Sequence, residues 1–176
     1  MPFDRCWSRR RWLVASLGVL WSQFASAHAG RSNKLFVIAR SKNRNVVRYD
    51  VRVDGEGRLD DENPLHVYWI LYAEDGRREE LSWLERRFAY GHELTSKVSP
   101  SGFRFRLSSC PGSEIRVTRS SGGGYEAHAN IRGRPAQLTR IYVRTSETGA
   151  MPRVLEVQLF GRDPATGTPV SERLAV

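Results

Sequence analysis

The chain has 176 residues, of which 40% are hydrophobic, 10% are aromatic and 27% are charged, and its formal net charge at pH 7 is +9. This length and composition fit one domain with a single hydrophobic core. The sequence has no repeat of fixed length and no low-complexity tail, which excludes a repeat array.

The N-terminal segment has the pattern of an export signal. Four arginines precede an apolar stretch at residues 12–21, and Ala25-Ser-Ala27 or Ala27-His-Ala29 offers a small-residue cleavage site. An apolar stretch of ten residues is too short to span a bilayer, which takes about 20. We therefore expect residues 1–29 to be a cleaved signal peptide and residues 30–176 to form one periplasmic or secreted domain without a transmembrane segment. A twin-arginine signal is the alternative route, although the ordinary secretory route fits better.

The net charge of the chain after cleavage indicates which kind of partner it would bind. Without the four arginines and one aspartate of the leader, 24 basic and 18 acidic residues remain, a formal net charge of +6. This surplus favours an anionic envelope polymer or lipid as the partner, and the alternative interpretation is an ordinary soluble surface of mixed charge. Nucleic acid is not expected as a partner, because an exported protein rarely meets it.

The first strands are predicted from apolar residues and alternation. Residues 35–40 form a short apolar strand, and residues 45–54 alternate between apolar and charged side chains. Alternation of this kind predicts an antiparallel strand with one buried face. Residues 54–57, Asp-Gly-Glu-Gly, close it with a turn.

The centre of the chain is the apolar run that follows Pro64. Because side chains alternate along a strand, this run has two faces, and both are largely apolar. One face carries Leu65, Val67, Trp69 and Leu71, and the other carries His66, Tyr68, Ile70 and Tyr72. This pattern is typical of a strand that is covered on both sides.

A helix is predicted near residues 78–90. Glu79 and Glu80 would lie in its first turn, and Gly91 would follow as its C-terminal cap. Leu81, Leu84 and Phe88 are spaced to form one buried stripe.

Short alternating segments continue to the C-terminus and are separated by turns rich in glycine and proline. They are Phe103–Leu107, Ile115–Val117, Tyr125–Ile131, Leu138–Arg144, Val154–Phe160 and Pro169–Leu174. The predicted fold class is therefore mainly β, a β-rich α+β domain. We expect an antiparallel sandwich or barrel of about eight to nine strands with one helix.

Signatures of catalysis and of metal binding are missing from the sequence. There is no nucleophile elbow, no phosphate-binding Gly-x-x-x-x-Gly-Lys loop, no His-Glu-x-x-His and no Cys-x-x-Cys. The acidic run at residues 54–62 lacks the alternating ligands of a calcium loop. We expect no catalytic residue, no metal site and no cofactor.

One candidate ligand site lies on the central strand. His66, Tyr68 and Tyr72 share a face, where they would bind a ligand inside a barrel or satisfy one another in a core. An alternative hypothesis is a hydrolase-type enzyme that pairs His66 or His92 with a carboxylate such as Asp50 or Glu80.

A second candidate site consists of arginines. Arg48 and Arg52 share the polar face of one strand, and Arg104 and Arg106 project opposite Phe103 and Phe105. If the two faces belong to one sheet, four guanidinium groups could bind a phosphorylated or acidic polymer. The competing interpretation is that Asp50 and other acids neutralise them in weak surface pairs.

Several short motifs resemble a bacterial family known as domain of unknown function 4833. The motifs are Ser41-Lys-Asn43, Asn45-Val-Val-x-Tyr49-Asp50, Pro64-x-x-Val-Tyr-Trp-Ile70, Gly76, Tyr90-Gly91, Phe160-Gly-x-Asp163-x-x-Thr-Gly167 and Glu172. The resemblance covers residues 35–174 and implies a single exported domain, but no reaction. The leading functional hypothesis is thus a non-enzymatic exported binding module, and a structural envelope protein that pairs through a strand edge is a further alternative.

Overall fold

The computed structural model describes residues 33–146 and 153–175. The predicted signal peptide lies outside these residues. Within them the chain forms eleven strands and one short helical segment. The strands are β1 Lys34–Arg40, β2 Val46–Val51, β3 Leu65–Ile70, β4 Arg78–Glu80, β5 His92–Leu94, β6 Gly102–Leu107, β7 Cys110–Arg119, β8 Tyr125–Ile131, β9 Arg134–Thr145, β10 Val154–Arg162 and β11 Pro169–Ala175.

All eleven strands belong to one curled, mixed sheet that forms a half-barrel, and the predicted mainly β class is confirmed. The long strand β9 organises it. Its first part pairs with β8, its second part pairs in parallel with β1, and β10 runs antiparallel along its other side. The path from β9 therefore divides into a first arm, β1–β4, and a second arm, β5–β8.

The two arms pack face to face over one core. Phe36 of β1 stacks on Tyr49 of β2 with ring centroids 4.4 Å apart, and on Phe105 of β6 at 6.4 Å. Because β1 and β6 are not neighbours in the sheet, the second contact crosses the core. The outward faces of the two arms consequently point away from each other.

Strand β3 is largely buried on both faces, as its sequence predicted, although it is second from one end of the sheet. Leu65, Val67 and Trp69 belong to the core cluster. On the outward face Tyr68 and Ile70 are also buried. The strand is thus covered on both sides, although polar side chains provide part of the outer cover.

The helical segment begins later than the sequence predicted. Residues 78–80 form strand β4, paired with β3, so Glu79 and Glu80 are not in a first helical turn. The helix α1 spans Trp83–Glu85 and continues as a π-helical turn, Arg86–Tyr90. Ser82 starts it, because its hydroxyl accepts a bond from the Glu85 backbone N–H while the Glu85 carboxylate accepts the Ser82 N–H.

One further detail of the predicted helix was wrong and one is confirmed. Leu81 is buried, but Phe88 is 41% exposed, so the predicted stripe is not one buried face. Gly91 is the C-terminal cap, as predicted, and has extended backbone with φ −66°. Glycine is required there because a Cβ would collide with the carbonyl oxygen of Arg86.

Candidate functional site

The outward side of the first arm carries a set of polar side chains that we call the paired face. Its strands are in register, with Arg48 opposite Tyr68, Asp50 opposite His66, and Tyr68 opposite Glu80. The paired face comprises Arg48, Asp50, His66, Tyr68 and Glu80. His66 and Tyr68 therefore lie on the face of β3 opposite its core residues rather than inside a barrel, although Tyr68 is buried there.

Asp50 is the centre of one half of the paired face. Its carboxylate accepts hydrogen bonds from Arg48 Nε at 2.6 Å and from the Tyr68 hydroxyl at 2.8 Å. The guanidinium of Arg78 lies 5.0 Å from the centroid of the Tyr68 ring. Burial, the hydrogen bond to Asp50 and the Asp50 charge raise the pKa of Tyr68 to about 12, so the phenol stays neutral.

Glu80 is the centre of the other half. Its carboxylate lies 2.7 Å from His66 Nε2 and 2.6 Å from Arg86. Burial alone would raise the pKa of Glu80, but the hydrogen bond to His66 and the charges of His66 and Arg86 outweigh it, and the pKa is lowered. The histidine–carboxylate pair named by the enzyme hypothesis is thus present, although Arg86 shares the carboxylate.

Tyr72 of the predicted ligand site and His92 of the enzyme hypothesis do not join this pair. Tyr72 lies beyond the end of β3 and is 52% exposed. His92 lies on β5, where its ring contacts Phe105 edge-on at 6.0 Å. Burial, followed by the charges of Arg86 and Arg52, lowers the pKa of His92 to about 4. No ion pair of the described residues includes His92.

The four predicted arginines do not form one surface. Arg48 lies on the first arm and is paired with Asp50, whereas Arg104 and Arg106 lie on the outward side of the second arm. Arg52 follows the end of β2 and is exposed. Because β2 and β6 are five strand positions apart in the sheet, about 24 Å at 4.8 Å per strand, the four guanidinium groups cannot bind one group of a ligand.

The second arm instead carries a line of basic residues that we call the basic row. Arg104 of β6 is directly opposite Arg116 of β7, and Arg116 is directly opposite His128 of β8. The basic row comprises Arg104, Arg116 and His128. It continues through Gln137 of β9 to Arg162 of β10. With strands about 4.8 Å apart, the line is about 19 Å long.

Two of the three residues of the basic row lie within 4 Å of a carboxylate of the described residues, and the third does not. Glu114 accepts a bond from Thr95 Oγ1 at 2.9 Å and lies 3.7 Å from Arg104. Glu126 accepts a bond from Ser120 Oγ at 2.8 Å and lies 3.8 Å from His128 Nε2. Within the described part of the chain, Arg116 forms no ion pair.

Arg106 differs from Arg104, although both were predicted as ligand-binding residues. The register places Arg106 directly between Glu93 of β5 and Glu114 of β7. Among the described residues neither glutamate forms an ion pair with Arg106, and Glu114 instead lies 3.7 Å from Arg104. Of these two residues, only Arg104 is directly opposite another arginine, Arg116.

A recess opens beside the basic row, with a cavity volume of about 390 Å³. The pairing of β7 with β8 ends at Arg116 and His128, and the recess lies at and beyond this pair. Its polar lining consists of Ser113, Glu114, Arg116, Thr118, His128 and Asn130. Arg116, His128 and Asn130 were not found from the sequence, because only the strand register brings them together.

The sequence profile of a family described as Domain of unknown function (DUF4833) matches residues 36–173 of the chain. The chain belongs to this family. The match confirms the resemblance seen in the sequence motifs. No curated protein and no solved structure matches the chain.

The DUF4833 domain also exposes two aromatic side chains on its helical segment. Trp83 is 68% exposed and lies edge-on to Phe88, with ring centroids 6.3 Å apart. The Arg87 guanidinium lies 5.7 Å from the Phe88 centroid. These residues form a small exposed aromatic patch.

Within residues 33–146 and 153–175, no three His, Cys, Asp or Glu side chains lie close enough to hold a metal ion. No helix in the described part of the chain combines the length and the hydrophobicity that a bilayer crossing requires.

Proposed function

We propose that this DUF4833 protein is an exported, non-enzymatic binding module for an anionic polymer of the bacterial envelope. The predicted leader and the basic charge of the remaining chain support export and an anionic partner. The observation that carries the proposal is the basic row. Like charges directly opposite each other on neighbouring strands destabilise a sheet. An anionic ligand laid across the strands would remove that repulsion.

The shape of the row favours a polymer over a single small anion. Arg104, Arg116 and Arg162 are distributed along a line of about 19 Å, which a single phosphate cannot span. Guanidinium groups form bidentate bonds with phosphate and carboxylate, the anionic groups of acidic polymers.

Sedimentation with purified envelope fractions tests this function. The parent should bind at low salt and lose binding as salt is added, because exposed charges are screened. A double variant, Arg104→Gln with Arg116→Gln, should lose most of the binding. The matched control is Arg52→Gln, which removes one exposed arginine from the first arm and should bind as the parent does.

Two outcomes would contradict this proposal. Equal binding by the double variant and the parent would exclude the basic row as the site. Binding of the parent to vesicles of anionic lipid, with no binding to the lipid-free polymer, would show that the ligand is a membrane surface and not a polymer.

A hydrolase remains the second candidate, favoured by the 2.7 Å contact between His66 Nε2 and Glu80. Against it, the Glu80 carboxylate is shared with Arg86, and the neutral phenol of Tyr68 is a poor nucleophile. Hydrolysis of chromogenic esters that disappears in His66→Gln would support the enzyme and contradict the binding module.

The structural alternative depends on a long unprotected strand edge. The end strands β4 and β5 have three residues each, and short edges resist pairing with another chain. Strand β11 has seven residues and, within the described part of the chain, pairs with β10 alone. Concentration-dependent fibres or filaments formed through β11 would favour that alternative.

A further inference from the structure

We propose that the recess beside Arg116 binds a sugar phosphate, the terminal unit of the anionic polymer. This inference rests on the proposed function, since it names the chemical group that the same surface recognises. It assigns a defined pocket to one part of the basic row.

The recess collects donors from two strands. Arg116 and His128 are directly opposite each other at its edge. Thr118 and Asn130 are the next outward residues along their own strands, on opposite sides of that pair, and both line the recess. A guanidinium, an imidazole, a hydroxyl and an amide therefore surround one space.

This donor set fits a phosphate better than a carboxylate. A carboxylate has two oxygens, which a single bidentate arginine satisfies. A phosphomonoester has three terminal oxygens in different directions, which suits donors arriving from separate strands. Arg116 is available for this role because no carboxylate of the described residues pairs with it.

The recess is larger than a phosphate. Its volume of about 390 Å³ is at the lower end of the range for small-molecule sites, which is about 300–1,000 Å³. Glu114 lines the same space and offers a carboxylate acceptor. A hydroxylated carrier such as a sugar would fill the remaining volume and donate to this carboxylate.

A second cavity adjoins the first, because Pro135 lines both. Arg132, Arg134 and Asp163 also line it. Arg132 occupies the two-residue turn before Gly133 with φ 54°, a conformation for which asparagine or glycine is normally preferred. A basic side chain held at this unfavourable position suits the next unit of an anionic polymer.

Calorimetric titration of the whole exported domain with glucose 1-phosphate, inorganic phosphate and glucose tests the recess. Glucose 1-phosphate should bind more tightly than inorganic phosphate, and glucose should not bind. Arg116→Gln should weaken glucose 1-phosphate about tenfold or more, since a charged hydrogen-bonding partner is lost. Thr118→Val with Asn130→Leu should also weaken it, although the charge is unchanged, whereas Arg52→Gln should have no effect.

Two results would overturn the recess as a sugar phosphate site. One is no binding of glucose 1-phosphate by the parent, and the other is equal binding by the parent and the Thr118→Val, Asn130→Leu variant. Envelope sedimentation separates this failure from failure of the proposed function. If the parent still sediments with envelope in a salt-dependent way, only the sugar phosphate assignment is lost.

Discussion

The outward faces of the two arms use similar side chains in opposite arrangements. On the paired face, Asp50 holds Arg48 and Tyr68, and Glu80 holds His66. On the basic row, Arg104 is directly opposite Arg116 and Arg116 is directly opposite His128. Both faces lie on the same curled sheet and cover the same core.

The two arrangements of charge have different consequences for stability and for ligand binding. Partly buried charges that hydrogen-bond to each other stabilise the fold and leave few donors for a ligand. On the basic row, Arg116 forms no ion pair with the described residues, and the like charge of Arg104 directly opposite it costs stability. We therefore propose that the paired face stabilises the fold and that the basic row binds a ligand.

The largest expected effect tests whether the two faces share one core. Phe105 is fully buried and stacks on Phe36 across the two arms. Phe105→Ala should lower the free energy of unfolding by about 3–5 kcal/mol, measured in urea. Trp83→Ala is the control, because Trp83 is 68% exposed, and should change it by about 0.5 kcal/mol or less. Equal small losses would show that the arms are not packed on each other.

The next effect concerns His92, which lacks the carboxylate partner that His66 has. Its pKa is lowered from 6.5 to about 4, so the folded state binds fewer protons than the unfolded state between these pH values. The stability it contributes is complete above pH 6.5 and is lost as the pH falls to about 4.

Urea unfolding at pH 7 and at pH 4.5 measures this loss, which should be on the order of 2 kcal/mol for His92. His92→Leu should remove it. Parent and variant profiles that run parallel across this range would contradict the assigned role of His92.

The third prediction concerns the contribution of the paired face to the free energy of unfolding. Asp50→Ala removes the acceptor of the Tyr68 hydroxyl and should destabilise by about 1–3 kcal/mol. Tyr68→Phe should cost less, and the double variant should cost less than the sum of the two, because the residues are directly bonded. Strict additivity in urea unfolding would show that the bond contributes nothing.

The smallest predicted change is an increase in the free energy of unfolding. Arg116→Gln removes the repulsion from Arg104 and should stabilise by about 0.2–1 kcal/mol. Arg48→Gln, which breaks the bond to Asp50, is the contrasting variant and should destabilise. A loss of stability in Arg116→Gln would mean that the basic row is paired after all.

The sequence predicted the parts of the fold that depend on local pattern. Strand β3 could be predicted because both of its faces are apolar, and β2 because its residues alternate. The helix was placed too early because Glu79 and Glu80 suit a first helical turn, whereas pairing with β3 decides their structure. Ser82 and Glu85, spaced as a capping box, were the signal that would have placed the start.

The candidate site could be predicted only in part. Arg104 was found because it alternates with Phe103 and Phe105. Arg116 and His128 were missed because their meeting depends on the register among β6, β7 and β8, which no single segment encodes. The curl of the sheet, also a long-range property, is what separates Arg48 from Arg104.

The most direct test of the basic row is the urea midpoint with and without inorganic polyphosphate. A ligand that binds only the folded state stabilises it, by about 2.7 kcal/mol at a concentration one hundred times the Kd. Polyphosphate should raise the midpoint of the parent and of Arg52→Gln, and should leave that of Arg104→Gln with Arg116→Gln nearly unchanged. An equal rise in all three proteins would contradict the assignment of the basic row to ligand binding.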